Sequence, residues 1–355
     1  MCVYCQNIYL NKNNFSKLKG YETELMIKGT RDLSNPFISI IITVYKRKKY
    51  IHEAIRSAIH QKNIDFDYEI IVLCDDPKSN MSEFNIYKNM QNIFIYRNYH
   101  NLGLYNSTNL GVTIAKGNYV AFLHDDDILY PEYLSKINKF IQNNSQTTKC
   151  ILVNRDVIGH PRKTEIFKHA LKFTFFVIFL FFFFIRFLFR KTYNSITLKE
   201  GLTYTLSNIY KAPSCGTLFE RESFVNAGGF DQDFWPVSDY YFFLKFNKDA
   251  PIYMLREKLA CYRWIDNLSQ SKSVQHAGFD HFSIFFKSTQ PIASVNKYFS
   301  FFLNEILYTK FLMVDKQYRD EIINKYPELK KRSKIRWLIF KSYNKGFRFV
   351  HDLIV

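Results

Sequence analysis

Residues 37–45 read FISIIITVY, a continuous run of apolar and mostly β-branched residues. A run of this kind, without the alternation of a half-exposed strand, is typical of a parallel strand buried on both faces. In residues 51–59 the apolar positions recur at helical spacing, so a helix follows the strand. Residues 68–73, YEIIVL, predict a second buried strand. A strand, a helix and a strand in succession indicate an α/β fold.

The alternation of strand and helix continues beyond the second strand. Residues 93–96 and 119–123 predict two further strands, and residues 109–115 predict the end of a helix that Lys116 and Gly117 terminate. Right-handed crossovers would make these strands parallel. We therefore predict a doubly wound, mostly parallel sheet, in which ligands bind beyond the carboxyl ends of the strands.

The composition limits the compartment and the partners. Lys and Arg number 49 against 32 Asp and Glu, a formal net charge of +17. This excess favours an anionic partner such as a lipid surface, a nucleic acid or a phosphorylated substrate, although a genome-wide bias toward lysine would explain it equally. Cys2 and Cys5 form an isolated C-x-x-C, so we expect neither structural zinc nor a disulfide framework. Residues 1–35 lack the apolar segment of a signal peptide.

Two segments predict contact with a membrane surface. Residues 173–189 are apolar except for Thr174 and Arg186, a run at the lower length limit for a spanning helix. A single span would separate the two halves of the site described below, so we expect an interfacial helix or a hairpin that dips into the membrane, with a buried core helix as the alternative. Residues 325–348 hold nine basic residues and one acidic residue beside an apolar stripe. This pattern suits either an anionic lipid surface or a solvated helix.

Asp125, Asp126 and Asp127 directly follow the fourth predicted strand. Adjacent carboxylates repel one another unless a cation neutralises them. Mg²⁺ takes oxygen ligands and commonly binds carboxylates together with substrate phosphates. The triplet therefore predicts a site for Mn²⁺ or Mg²⁺ that would stabilise a leaving diphosphate. A solvated turn with aspartates that cap the next helix is the alternative.

Two other segments place polar side chains at the same edge of the predicted sheet. Asp75 and Asp76 follow the second strand, where a carboxylate could accept hydrogen bonds from a base or a ribose, or could belong to an ordinary turn. Asn101, Gly103 and Asn109 could face the cleft, or could serve turn formation and helix capping.

Asp239 lies among aromatic residues that include Trp235 and Tyr240. A carboxylate in apolar surroundings holds a proton more readily than one in water, which would suit a general base that accepts a proton from a sugar hydroxyl. The alternative is an N-terminal cap for the helix that the following residues predict.

The order and spacing of these segments resemble those of the family-2 glycosyltransferases, inverting enzymes with the GT-A fold. The resemblance runs from residue 36 to residue 271 and is interrupted by the Phe-rich segment. The matching blocks are ISIIITVYKR, EIIVLCDD, NLGLYNSTNLG, AKGNYVAFLHDDDILYPEYL, GTLFERESFVNAGGFD, SDYYFFLKF and YRWIDNLSQS.

The resemblance implies a role for each matching residue. Asp239 matches the family's catalytic base, and Asp125, Asp126 and Asp127 match its DxD-type metal site. Arg263 matches a closing segment near the diphosphate. The residues implied to bind the nucleotide-sugar are Thr43, Val44, Tyr45, Asp75, Asp76, Asn101, Gly103, Asn109, Asp125, Asp126 and Arg263.

This sequence departs from the family pattern at three positions. His124 stands where most members have Asp, so the three aspartates that follow would share the ligand role. Ser238 replaces the acidic neighbour of the base. Cys74 stands at the first Asp of the strand-two pair, so either Asp75 or Asp76 would contact the nucleotide base.

The predicted organisation has five parts. They are an N-terminal extension (1–35), a nucleotide-sugar-binding half of the GT-A domain (36–160), a membrane-interface insertion (161–195), an acceptor and catalytic-base half (196–275) and a basic helical C-terminal region (276–355).

The sequence thus predicts an inverting, metal-dependent glycosyltransferase that uses a nucleoside-diphosphate sugar, in the first place a UDP-sugar. We expect a glycan or lipid-linked acceptor of cell-surface polysaccharide synthesis, an anionic membrane surface and no nucleic acid as partners. The expected location is the cytoplasmic face of the cell membrane, peripheral or monotopic.

A nucleotidyltransferase acting on sugar phosphates is one alternative. Such an enzyme would need a Gly-rich loop with a lysine after the first strand, and residues 45–50 contain lysines but no glycine. A nucleic-acid-binding protein is the other, and it would need basic residues interleaved with aromatic ones on one sheet face.

Overall fold

The computed structural model describes residues 13–46, 49–144, 147–159, 195–197, 215–264, 271–293, 311 and 314–325. Ten strands in these ranges form one sheet. The strands are β1 (Thr23–Ile27), β2 (Ile38–Val44), β3 (Tyr68–Cys74), β4 (Ile93–Asn98), β5 (Tyr119–His124), β6 (Ile128–Leu129), β7 (Cys150–Ile158), β8 (Ser195–Thr197), β9 (Thr217–Glu220) and β10 (Ile252–Arg263).

Seven α-helices and three short 3-10 helices accompany the sheet in the described ranges. The α-helices are α1 (Ile51–Ile59), α2 (Leu104–Ile114), α3 (Tyr133–Asn143), α4 (Arg221–Asn226), α5 (Ser238–Asp249), α6 (Lys272–Ala293) and α7 (Lys316–Lys325). The 3-10 helices are Asn14–Leu18, Met81–Tyr87 and Gln232–Phe234.

The strand β2 is the centre of a parallel half of the sheet. It pairs in parallel with β3 on one side and β5 on the other, and β3 pairs in parallel with β4. Every residue of β2 is buried, because Ile40 and Ile42 pack on the face that α1 covers and Ile41 packs on the face that α2 covers. The alternation of buried strands and helices predicted for this part of the chain is confirmed.

The other half of the sheet is mixed. β9 runs antiparallel to its neighbours β5 and β7, whereas β7 and β10 are parallel. β6 and β8 pair antiparallel with different ends of β10, and β1 closes the far edge against β4. Because β6 follows the acidic triplet directly and pairs with Ala260 and Cys261 of β10, the triplet lies in a loop between β5 and the end of β10.

The segment predicted as an N-terminal extension contributes to the fold where it is described. β1 forms a sheet edge, and the Asn14 side chain donates hydrogen bonds to the carbonyls of Gly228 (3.1 Å) and Gly229 (3.3 Å). These contacts tie the beginning of the described chain to the segment before α5.

No helix in the described ranges is both long and apolar enough to cross a bilayer. The Phe-rich run at 173–189 lies outside the described residues, as does the basic segment at 325–348 apart from its first residue. The predictions made for these two segments are therefore untested.

The helix α2 approaches the sheet closely at Gly111. A Cβ atom at this position would lie 2.6 Å from Ile41 Cγ2 and 2.8 Å from Leu73 Cδ1. Both neighbours are buried in the core, so neither side chain has free space into which it could turn.

We expect Gly111→Ala to lower the free energy of unfolding by about 1–3 kcal/mol, because overpacking outweighs the roughly 1 kcal/mol by which alanine is favoured over glycine inside a helix. Urea unfolding measures the change. Thr113→Ala, at an exposed position of the same helix, is the matched control and should shift the value by less than about 0.5 kcal/mol. A Gly111→Ala variant as stable as the wild type would contradict the close approach.

Candidate active site

The carboxyl ends of β2 and β5 meet at a pocket. Thr43 and His124 are partners in the last register pair of the two strands, and both line this pocket. Tyr105 and Thr108 of α2 and Phe230 lie along its other side. This is the edge of the sheet at which ligands bind in open α/β folds.

The three residues predicted at the end of β2 differ in what they can reach. Thr43 is buried but lines the pocket. Val44 packs into the core, and its carbonyl accepts the Asp75 N–H at 2.8 Å. Tyr45 is 40% exposed, with Lys46 Nζ 5.0 Å from its ring centroid. The side chains of Thr43 and Tyr45, and not that of Val44, are therefore available to a ligand.

Asp75, directly after β3, is buried and accepts three hydrogen bonds. Asn98 Nδ2 (2.8 Å) and the backbone N–H of Leu102 (2.9 Å) donate to Oδ1, and the backbone N–H of Gly103 (2.9 Å) donates to Oδ2. Burial raises the pKa of Asp75 to about 6, although these three bonds oppose the rise. Asp75 thus fixes the loop before α2, whereas Asp76 is less buried.

Residues of the predicted Asn-rich segment also serve to position backbone. Asn101 Oδ1 accepts the Gly103 N–H at 2.9 Å. Gly103 precedes α2 with φ of 77°, and a Cβ there would lie 2.7 Å from the Gln232 side chain. Asn109 is buried and exchanges two hydrogen bonds with the backbone of Phe230, at 2.7 and 3.0 Å. Asn109 therefore holds a wall of the pocket in place.

The acidic triplet is buried as a whole. The exposed fractions of Asp125, Asp126 and Asp127 are 9%, 3% and 1%. Potential ligand atoms of His124, Asp126 and Asp127 lie within 4.8 Å of one another, and Asp125 is not part of this group. The group thus differs from the predicted ligands Asp125, Asp126 and Asp127 by including His124, whose imidazole is a common type of metal ligand.

The charges of this group are partly balanced within the protein. His124 Nδ1 lies 3.5 Å from Asp127 Oδ2. Burial by itself would lower the pKa of His124, but the three adjacent aspartates outweigh it and raise that pKa to about 9. Asp127 Oδ2 makes no hydrogen bond of normal length within the described residues. A buried carboxylate oxygen in this state, beside two further ligand residues, fits a divalent cation.

Arg263, the last residue of β10, holds the acidic loop. Its backbone N–H donates to Asp127 Oδ1 and its Nε donates to the Asp126 carbonyl, both at 2.9 Å. Its Nη2 lies 2.6 Å from Glu53 Oε2 of α1, and its guanidinium stacks 4.0 Å from the Tyr50 ring centroid. The family resemblance implied that Arg263 lies near the diphosphate. In the structure its guanidinium interacts with these protein groups.

Asp239 lies in the first turn of α5, next to the pocket. The Tyr105 hydroxyl is 2.9 Å from the Pro236 carbonyl and 3.3 Å from Asp239 Oδ1. Burial raises the pKa of Tyr105 well above its ordinary value, so the hydroxyl stays protonated and donates. Tyr105 also lines the pocket of Thr43 and His124, so this one side chain contacts both the pocket and Asp239.

Two residues that the sequence did not single out shape this cleft. Tyr105 joins Asp239 to the pocket, and Gln232 Oε1 accepts the Tyr105 N–H at 2.9 Å at the start of α2. Both lie within or beside the matched sequence blocks, but neither a tyrosine nor a glutamine at such a position predicts a functional role by itself. Only their three-dimensional contacts reveal these roles.

The family model described as Glycosyl transferase family 2 matches residues 39–223, slightly more than half of the chain. This chain belongs to glycosyl transferase family 2. The predicted membership and the predicted class of enzyme, a glycosyltransferase, are therefore confirmed.

Relatives with curated names are similar over part of the chain. An uncharacterized glycosyltransferase of Methanocaldococcus jannaschii is 34% identical over 117 residues, which cover 32% of this chain and 40% of the relative. Another from Haemophilus influenzae is 34% identical over 148 residues, covering 38% and 45%. Poly(ribitol-phosphate) β-N-acetylglucosaminyltransferase TarP of Staphylococcus aureus is 25% identical over 110 residues, covering 30% and 34%. The chain thus matches less than half of the length of these relatives.

Solved structures share the fold. TarS 1–349 of S. aureus in complex with UDP-GlcNAc aligns with a TM-score of 0.51 and 16% identity, over 82% of this chain and 72% of that one. TarS 1–349 in complex with UDP aligns with a TM-score of 0.50 and 16% identity, over 87% and 92%. At this identity the likeness concerns the fold alone, and it agrees with the predicted GT-A architecture.

We expect Asp75→Ala to lower the free energy of unfolding by about 1–3 kcal/mol, because it removes the acceptor of three buried N–H donors. Urea unfolding gives the value. Asp76→Ala is the control and should cost less, since its carboxylate accepts one exposed hydrogen bond, from the Lys78 N–H. Equal stability of the two variants would show that Asp75 does not hold the loop before α2.

Proposed function

We propose that this glycosyltransferase is an inverting, metal-dependent enzyme that uses a nucleoside-diphosphate sugar. One observation carries the proposal. The pocket at the ends of β2 and β5 brings Thr43 and His124 together with Tyr105, whose hydroxyl touches Asp239. A nucleotide-contacting strand end, a metal-ligand group and a carboxylate base would thus share one cleft.

The donor would lie along the ends of β2 and β3. Tyr45 and Asp76 present side chains that are accessible there, and Thr43 lines the pocket between them and the acidic group. Asp75 would act indirectly, by fixing the loop at Asn101 and Gly103. A UDP-sugar is the donor we favour, because the TarS structures that share this fold are complexes with UDP-GlcNAc and UDP.

His124, Asp126 and Asp127 would hold the divalent cation, Mn²⁺ or Mg²⁺, and the cation would replace the proton that the aspartates hold on the imidazole of His124. A bound cation of this kind supplies positive charge to the departing nucleoside diphosphate. The protein contributes the rigidity of the site, because Arg263 fixes both Asp126 and Asp127 from β10. Preorganised charge of this sort requires no rearrangement during the reaction.

Asp239 would accept the proton from the attacking acceptor hydroxyl. Its carboxylate already contacts the hydroxyl of Tyr105, a residue that lines the pocket. If the acceptor attacks from the α5 side while the diphosphate leaves toward the acidic group, the two groups occupy opposite faces of the sugar. The configuration at the anomeric carbon would then invert.

The acceptor that we propose is a glycan or a lipid-linked glycan of cell-surface polysaccharide synthesis, at the cytoplasmic face of the membrane. The net charge of +17 supports contact with an anionic membrane surface. The name of the relative TarP, a poly(ribitol-phosphate) β-N-acetylglucosaminyltransferase, supports a polymer of the cell surface as acceptor. Family membership favours sugar transfer over both alternatives, nucleotidyl transfer and nucleic-acid binding.

We expect Mn²⁺ to raise the melting temperature of the UDP-bound wild type, and Asp126→Asn or Asp127→Asn to reduce that rise strongly, because each removes a charged ligand. Asp125→Asn is the matched control and should keep most of the rise, since Asp125 lies outside the ligand group. Thermal unfolding with and without EDTA measures the effect. A loss confined to Asp125→Asn would contradict the proposed ligand set.

We expect Asp239→Asn to lower the turnover of a UDP-sugar by roughly 10²–10⁴-fold while UDP still binds with Mn²⁺, because only the proton acceptor is lost. Nucleotide release, followed with the fastest substrate from a panel of UDP-sugars, measures turnover. Asp67→Asn alters an exposed carboxylate that pairs with Arg31 and should leave turnover unchanged. Full activity of Asp239→Asn would remove Asp239 from the role of base.

A further inference from the structure

One side of α1 carries polar side chains that bond to the chain directly after the acidic triplet. Glu53 and Ser57 are four residues apart, so they lie on the same side of the helix. Ser57 Oγ accepts the Leu129 N–H of β6 at 3.1 Å. Gln61, two residues beyond the end of α1, donates to the Tyr130 carbonyl at 3.0 Å. The short strand that follows the triplet is therefore fastened to α1.

Glu53 reaches the triplet itself through Arg263. Glu53 Oε2 lies 2.6 Å from Arg263 Nη2, and Arg263 in turn bonds to the Asp126 carbonyl and to Asp127 Oδ1, both at 2.9 Å. The ring centroid of Tyr50, the residue before α1, lies 4.0 Å from the guanidinium Cζ. The beginning of α1 thus holds the guanidinium with a carboxylate and an aromatic ring, and the arginine holds the acidic loop.

The two members of the Glu53–Arg263 pair differ in their exposure to water. The Arg263 side chain is 9% exposed, whereas the Glu53 side chain is 45% exposed. A buried guanidinium next to a site for a divalent cation repels that cation unless a carboxylate balances its charge. A half-exposed carboxylate, by contrast, adds little to the stability of a fold. We therefore expect Glu53 to affect the acidic loop more than the stability of the domain.

We propose that α1 is the scaffold of the acidic loop and that Glu53 is a positioning residue, which acts through Arg263 on the group of His124, Asp126 and Asp127. The assignment rests on the proposed function, because it takes these three side chains as metal ligands. Groups that orient metal ligands from outside the coordination sphere commonly change metal affinity about 10–100-fold when they are removed. Glu53 lies outside the matched sequence blocks, so only its contact with Arg263 reveals this role.

The first test needs no metal. Hydrogen exchange of the full chain, without nucleotide, follows peptides that cover residues 124–130 and Arg263. We expect Glu53→Gln to speed the exchange of both at least about threefold, because the loop opens more readily once the guanidinium has lost its carboxylate partner. Glu24→Gln is the matched control. Glu24 pairs with Arg97 at 2.8 Å and is similarly exposed, but it lies in β1 at the far edge of the sheet, so its loss should leave both peptides unchanged.

The second test measures the affinity for Mn²⁺ by calorimetry, on the full chain saturated with UDP. We expect Glu53→Gln to weaken Mn²⁺ binding roughly tenfold, as the loss of a group that orients metal ligands does. Glu53→Asp should lose less, because it keeps the charge, and Glu24→Gln should bind Mn²⁺ like the wild type. The melting temperature of metal-free Glu53→Gln should stay within about 3 °C of the wild type, since the pair is half-exposed.

Two further variants separate the positioning of the loop from the charge of Glu53. Ser57→Ala removes the acceptor of the Leu129 N–H without altering any charge, and it should also speed exchange at 124–130 and weaken Mn²⁺ binding. Arg263→Met removes the guanidinium. In this background Glu53→Gln should change the Mn²⁺ affinity by less than about twofold, because a residue that acts through another has no effect in its absence. If Arg263→Met does not fold, Ser57→Ala and Glu53→Asp make the same distinction.

The inference is overturned if Glu53→Gln leaves the exchange of residues 124–130 unchanged, or if it binds Mn²⁺ as tightly as the wild type. An undiminished loss of Mn²⁺ affinity in the Arg263→Met background also overturns it, since the charge of Glu53 would then act directly on the cation. If Mn²⁺ does not bind the UDP-saturated wild type at all, the proposed function fails instead. The exchange measurements, made without metal or nucleotide, then decide by themselves whether Glu53 holds the acidic loop.

Discussion

The burial of three adjacent aspartates at the end of a central strand is the constraint on which the rest of the site depends. Like charges in a buried loop are unfavourable, and the protein offsets them with neighbours from other parts of the chain. His124 contacts Asp127, and Arg263 bonds to both Asp126 and Asp127 from the far end of β10. The pairing of β10 with β6, directly after the triplet, brings Arg263 to these two aspartates.

The two halves of the sheet contribute different residues to the proposed site. Helices pack on both faces of the parallel half, and its strand ends carry the side chains that we propose for nucleotide binding. The mixed half brings β7, β10 and α5 to the other side of the acidic loop. Between them, Tyr105 of α2 contacts Asp239, so that a helix of the first half positions the proposed base of the second.

Several polar residues that the sequence predicts to bind the nucleotide-sugar form hydrogen bonds to the protein backbone in the structure. Asp75 accepts three N–H groups and Asn109 bonds to Phe230, whereas Asp76 keeps an accessible carboxylate. Such residues can be recognised in a sequence, because a polar side chain near a strand end needs a hydrogen-bond partner. The sequence does not tell whether that partner is a ligand or an N–H group of the next loop, since the direction of the side chain depends on contacts distant in sequence.

The sequence by itself determined the family, the parallel half of the sheet and the position of the acidic loop. These features follow from patterns that are visible in the sequence itself, such as the buried run at 37–45 and the order of the matched blocks. Only the tertiary structure decided the mixed pairing of β7, β9 and β10 and the grouping of His124 with Asp126 and Asp127. The physical reason is that strand pairing and charge compensation join residues far apart in the chain, and no local pattern records which partner each one meets.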